Sequence, residues 1–183
     1  MSMLGEDPIT SINPADGSRR SVLAAQFYDP SRRAMLESAC WKCAKRQASL
    51  VAAASVPLFE FNNAYPIPAD YIRSFKVVWS DREPYELMNL AGIGRCIVTN
   101  DGSPLNLDYI FDLQDCTQMD PLLVMAIAAD LAAVLAVPLA HDVQLKRDAE
   151  ADREGRLAIA RTTDAQQNRP REFDVDVLLR SRF

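Results

Sequence analysis

From Pro121 to Ala140 the chain carries a single charge, Asp130. A stretch of that length is about what a membrane span requires. In a bilayer, however, a mid-segment aspartate costs roughly 2.5–3.5 kcal/mol, and alanine supplies much of the apolar character here. The expectation is a core helix, packed at close range through its alanines. Asp120-Pro121 opens it as a capping residue followed by proline at the first helical position, and it runs to about Val137 before Pro138.

Other helical segments flank it. Ser18 is a plausible N-cap for a helix through Tyr28, with Val22, Leu23 and Phe27 near one face. Asp29-Pro30 is a second start signal, and Met35, Leu36, Ala39 and Cys40 extend a stripe to Trp41, so one kinked helix or two short ones are expected. After Pro138 a long charged helix runs from about His141 to Gln167. Its apolar positions, Val143, Leu145, Ala149, Leu157, Ile159 and Ala160, form a broken stripe, so most of it is expected to face solvent or a partner. Residues 1–17, punctuated by Gly5, Pro8, Pro14 and Gly17, read as an N-terminal arm. Residues 168–183, with Phe173, Val175, Val177, Leu178, Leu179 and Phe183, read as a tail too short to fold alone.

The middle of the chain follows strand rules. Phe59, Phe61 and Tyr65 suit a half-buried strand, which Pro66 and Pro68 should end by removing two backbone donors. Asp70 stands where a short helical turn would want a cap. Ile72–Trp79, Tyr85–Leu90, Cys96–Thr99 and Leu107–Phe111 are strand candidates, separated by turns at 80–84, 91–94 and 100–104. Ala48 to Ser55 leans to strand. The resulting expectation is an α+β fold, mainly α: a helical bundle with two long helices, a small antiparallel β-domain and extended terminal arms. Its division is 1–17 arm, 18–167 body (helices about 18–41 and 120–167, β insertion about 45–115) and 168–183 tail.

The chain has 183 residues, a net charge of −5 and a sequence pI near 4.9. That balance argues against a protein whose main work is gripping nucleic acid. The acidity is concentrated. Glu60, Asp70, Asp81, Glu83, Glu86, Asp101, Asp108, Asp112, Asp115 and Asp120 face only Arg73, Lys76, Arg82 and Arg95 in the same stretch. One reading is a solvated acidic surface; another is a surface that must not hold a polyanion, such as the wall of a channel passing DNA. The residues up to Leu23 show no apolar core of an export signal, so a cytosolic chain with reduced thiols is expected.

Cys40-Trp41-Lys42-Cys43 is the one motif with an obvious chemical reading, redox-active or metal-binding. It closes a helical stripe rather than opening one, and the remaining cysteines, Cys96 and Cys116, form no second close pair. Buried or near-buried thiols are the plainer expectation. His141, the sole histidine, has no nucleophile at a recognisable spacing. Asp112/Asp115 and Glu83/Glu86 are read as surface charges rather than acid/base pairs. Neither a phosphate-binding glycine loop nor a dinucleotide fingerprint occurs.

Four stations of the chain together resemble the head-to-tail adaptor proteins of tailed phages, the group that includes tail tubular protein A. They are the opening segment from Leu4 to Ser11, then Phe27-Tyr28-Asp29-Pro30-Ser31-Arg32-Arg33 with Leu36 and Trp41, continued by Ala44-Lys45-Arg46 and Leu50. The third is Ala64-Tyr65-Pro66-Ile67-Pro68-Ala69-Asp70-Tyr71-Ile72-Arg73, and the fourth the alanine-rich helix from Met125 to Ala136. Cys43 stands where the family pattern would place phenylalanine. The resemblance implies a non-enzymatic virion protein, made in the host bacterial cytoplasm, without cofactor or metal. Twelve copies would ring the underside of the portal protein, extend the DNA channel without sequence-specific contact and offer a platform to a downstream tail or nozzle protein. By the same analogy, Arg169, Arg171, Phe173, Val175, Leu178, Leu179 and Phe183 would form the portal or subunit interface. The competing reading is a small cytosolic redox or zinc-binding domain using Cys40 and Cys43.

Overall fold

A computed structural model describes residues 2–54, 59–77 and 84–167. Among these, three helices accompany two three-stranded antiparallel sheets: α1 (Arg19–Ser38), β1 (Lys45–Leu50), β2 (Asn63–Pro66), β3 (Tyr71–Val77), β4 (Tyr85–Leu90), β5 (Gly94–Thr99), β6 (Leu105–Phe111), α2 (Pro121–Leu135) and α3 (Val143–Gln166). The architecture is therefore mixed α and β, which corrects the expected mainly helical bundle. The 120–167 block does not form one half of a long two-helix bundle. A π-helical turn at Ala136–Ala140, containing Pro138, divides it, and His141 in the left-handed region (φ 53°) turns the chain before Asp142 caps α3. The expected small β-domain is instead two sheets that share the core with the helices.

The first sheet has the order β1-β6-β3, the second β2-β5-β4. Central β6 explains how they stack. Leu105, Leu107 and Tyr109, alternate residues of one strand face, join Leu50, Tyr65, Tyr71 and Ile97 in a core between the sheets. Ile110 points the other way, into a second core with Leu36, Trp41, Leu113, Leu123 and Ile127 under the helices. Lys45 pairs with Ile110 and Leu50 with Leu105 in the β1–β6 register. The second sheet pairs Asn63 with Thr99 and Tyr85 with Thr99 on the two sides of β5.

Local chemistry accounts for most element boundaries. Ser18 caps α1 by accepting the Ser21 amide at 3.1 Å. The helix passes through Pro30 without ending, so Asp29-Pro30 is not a second start. No glycine closes α1; distant side chains take up its last carbonyls. Trp41 Nε1 donates to Met35 O (2.7 Å), Arg73 to Glu37 O (2.8 Å) and Arg161 to Ser38 O (2.9 Å).

The strand expected from Phe59 begins later. Phe59 is exposed, Glu60 adopts φ 63°, and β2 starts at Asn63 with Ala64 and Tyr65 fully buried. Asp70 caps no helical turn: it stands in the turn just before β3, where its carboxylate pairs with Arg46 and accepts from Tyr109 Oη (3.1 Å).

Pro121–Ala140 is long and apolar enough to cross a membrane by length and composition, yet half of it is buried within the fold. Asp130, 6% exposed, meets Arg153 of α3 at 3.2 Å. The lone charge is thus a paired anchor between α2 and α3, as buried charges generally must be.

Candidate interaction surfaces

The N-terminal arm is not extended. Leu4 is buried with Ala24, Ala132, Leu135 and Ala136, because α2, apolar apart from Asp130, leaves a face that the α3 side does not cover. Polar clamps hold the arm there. Asp16 accepts from the Thr10 amide (3.0 Å) and the Ser18 amide (2.9 Å). Ser21 Oγ donates to Ser11 O (2.7 Å), and Arg20 pairs with Glu6 and Asp7. Between arm and helix runs an apolar groove of about 760 Å³, lined by Met3, Ile9, Ile12, Met125, Leu131 and Leu135 among others. Sequence reasoning did not find this groove. Its signal was present in the apolar residues scattered through a Gly/Pro-rich arm, but which helix they cover is a tertiary fact.

Hydrogen bonds from Ser18 and then Thr10 hold the Asp16 carboxyl well below the usual carboxylate range. A depressed folded-state pKa adds stability above the ordinary carboxylate pKa, about 4, and that stability is lost only as pH falls through the lower folded value. In an NMR acid titration, the Thr10 and Ser18 amide resonances should therefore hold steady as pH passes through about 4. They should already be displaced at neutral pH in Asp16→Ala. A wild-type midpoint near 4 would contradict Asp16 as the arm's anchor.

The acidic middle of the chain is largely engaged internally. Asp108 pairs with Lys45 (2.9 Å) and accepts from Gln47 (2.8 Å). Asp112 binds the guanidinium of Arg32, which is 2% exposed and also contacts Asp29 (3.1 Å) and Leu113 O (2.8 Å). Asp115 accepts from the Thr117 amide (2.9 Å) and hydroxyl (2.7 Å), and these bonds lower its pKa. Glu60 and Glu86 remain exposed, while Asp81 and Glu83 lie outside the described residues. The run therefore does not form one continuous free acidic face.

Cys40 and Cys43 lie in the connection from α1 to β1 and are half-buried. Burial raises the Cys43 pKa, the opposite of what an activated thiol needs. Cys96 is buried in the second sheet, and exposed Cys116 sits 3.1 Å from Tyr28 Oη. Among the described residues no three His, Cys, Asp or Glu side chains are grouped to hold a metal ion. His141 is exposed and its amide donates to Val137 O (3.1 Å).

The third surface is α3 itself. Only Ala160 and Asp164 are buried along its 24 residues, and Val143 and Ile159 are exposed beside its charges. Arg169, Arg171, Phe173, Val175, Leu178, Leu179 and Phe183, expected from the sequence to make an interface, all lie outside the described residues. No protein-family model matches the chain, and no curated protein matches it.

Proposed function

We propose that this chain is a structural adaptor of a tailed phage or prophage that joins its own copies in a ring beneath the portal protein. The reading assigns it no catalytic step and no cofactor. It rests on the motif order of the sequence, and the observation that carries it is the pair of unlike surfaces on one subunit. A 24-residue helix buries two of its residues, while an apolar groove opens between the N-terminal arm and α2. Different patches on one protomer suit heterologous, head-to-tail contacts, and these close into rings when the rotation permits. The groove would receive an apolar element of the neighbour. Leu178, Leu179 and Phe183 would reach the portal, with Arg169 and Arg171 at its rim.

Electron microscopy of the purified chain mixed with the portal protein from the same genome tests the reading. The expected result is an added ring on one portal face. Full-length chain carrying Leu178→Asp, Leu179→Asp and Phe183→Asp should keep its melting temperature and lose portal binding by tenfold or more, since each buried apolar anchor contributes about 1.5–3 kcal/mol. Failure of the unaltered chain to bind would overturn the proposal; undiminished binding by the variant would remove the tail from it.

A further inference from the structure

The N-terminal arm covers part of α2 but is joined lightly to the helices. Leu4 is the single buried side chain among residues 3–16, while Met3, Ile9 and Ile12 are half-buried. Beyond the joint at Gly17, two polar ties reach α1. Buried Ser21 donates to Ser11 O (2.7 Å) and accepts from the Asp16 amide (2.8 Å). Arg20 meets Glu6 at 3.2 Å and Asp7 at 3.1 Å on the open rim, where ion pairs are weak and screened by salt.

The arm is better tied to itself. The Thr10 amide donates to the Asp16 carboxylate (3.0 Å), the Asn13 amide to Ser11 Oγ (3.3 Å), and Ile12 bridges Ala15. It meets α1 through Gly17, at φ +85° and with nothing within 4 Å of where a Cβ would stand. A preformed loop on one glycine joint can swing as a unit. Its seat is also not filled. The groove of about 760 Å³ runs between arm and helix, where a settled interior would be close-packed. On α2 the groove wall is Met125, Ala128, Ala132 and Leu135, an uncharged row spaced by three, four and three residues. Helices pack on one another through rows of this spacing.

We propose that the arm is a strap that opens as a unit about Gly17 and controls access of a second copy of this chain to the apolar row of α2. A second copy is the occupant because the rim is complementary in charge to itself. Arg20 stands on the seat and Glu6 and Asp7 on the strap, so pairs broken by opening can be remade between copies. Closed, the strap keeps the free chain from associating through α2. The opening belongs to the isolated chain; only its use in a ring rests on the adaptor reading.

Thiol labelling of the full-length chain without portal tests the strap, with Ala24→Cys as reporter, since Ala24 packs with Leu4 and is 2% exposed. Cys96, buried in the second sheet, reports global unfolding in the same sample. Residue 24 should react about tenfold or more faster than Cys96, the mark of local opening. Arg20→Glu should speed it about fivefold further, and adding Glu6→Arg and Asp7→Arg should reverse that gain. Leu4→Asp should speed it more. Without the reporter, the Leu4→Asp chain should gain mass with concentration in sedimentation, and adding Met125→Asp and Leu131→Asp should return it to the mass of one chain. A residue 24 that reacts no faster than Cys96 would overturn the proposal, because the arm would then open only with the whole fold. So would a Leu4→Asp chain that stays monomeric, or association that survives the α2 substitutions. If Leu4→Asp also exposes Cys96, the Arg20→Glu chain carries both measurements in its place.

Discussion

Arg32→Ala is expected to destabilise the fold by about 3–5 kcal/mol, because it removes the buried partner of an ion pair and leaves Asp112 facing only the more distant Arg33, at 4.0 Å. For a chain of this size that corresponds to a fall in melting temperature on the order of 10 °C. Arg32 is 2% exposed and ties α1 to the segment after β6 through Asp112 and the Leu113 carbonyl. The bonds of its two terminal nitrogens to Asp112, Leu113 O and Asp29 fix the guanidinium's orientation, while its Nε is buried without a hydrogen-bond partner among the described residues. Asp112→Asn should cost less, about 1–3 kcal/mol, since the amide oxygen can still accept. Combining Arg32→Met with Asp112→Asn should recover part of the loss, as apolar replacement of a buried pair often does. Thermal melts of the four proteins read this directly. A loss below about 1 kcal/mol for Arg32→Ala, the range of an exposed pair, would show that the pair behaves as a surface salt bridge.

How much of this was legible in the sequence differs by element. Four strands stood out because their apolar residues alternate between turn signals: β4 matches the expectation residue for residue, and β3, β5 and β6 begin one or two residues earlier. Ser18 and Asp120-Pro121 marked two helix starts, since capping is a local event. Asp29-Pro30 left one helix or two open, and the structure has one. The dipeptide carries a start signal, but packing of Met35 and Leu36 on one side of Pro30 and Ala24 on the other holds a single helix through it. The split of the β-region into two sheets was not legible. Which strand pairs with which depends on long-range contacts such as Tyr65 meeting Leu107 and Tyr109, and no local pattern encodes them. The acidic run likewise read as surface because its cations, Arg32, Lys45 and Arg46, lie outside it in sequence.

Trp41→Ala should be comparably severe, about 3–5 kcal/mol by the cost of truncating a buried aromatic. The indole is 1% exposed and packs with Leu36, Ile110, Leu123 and Ala160, so it touches the sheet and all three helices. Its Nε1 also donates to Met35 O at 2.7 Å, one of the carbonyls that the last turn of α1 leaves without a helical partner. The two contributions separate experimentally. Trp41→Phe keeps most of the apolar volume and loses the donor, but Ser38 Oγ also donates to Met35 O at 2.7 Å, so that carbonyl is not left bare. Trp41→Phe should therefore cost about 1–2 kcal/mol, from the smaller ring and one lost hydrogen bond. Chemical denaturation of both variants, compared at equal slope, distinguishes the cases. Near-equal losses would mean that the hydrogen bond, not the packing, makes Trp41 the joint between helices and sheet.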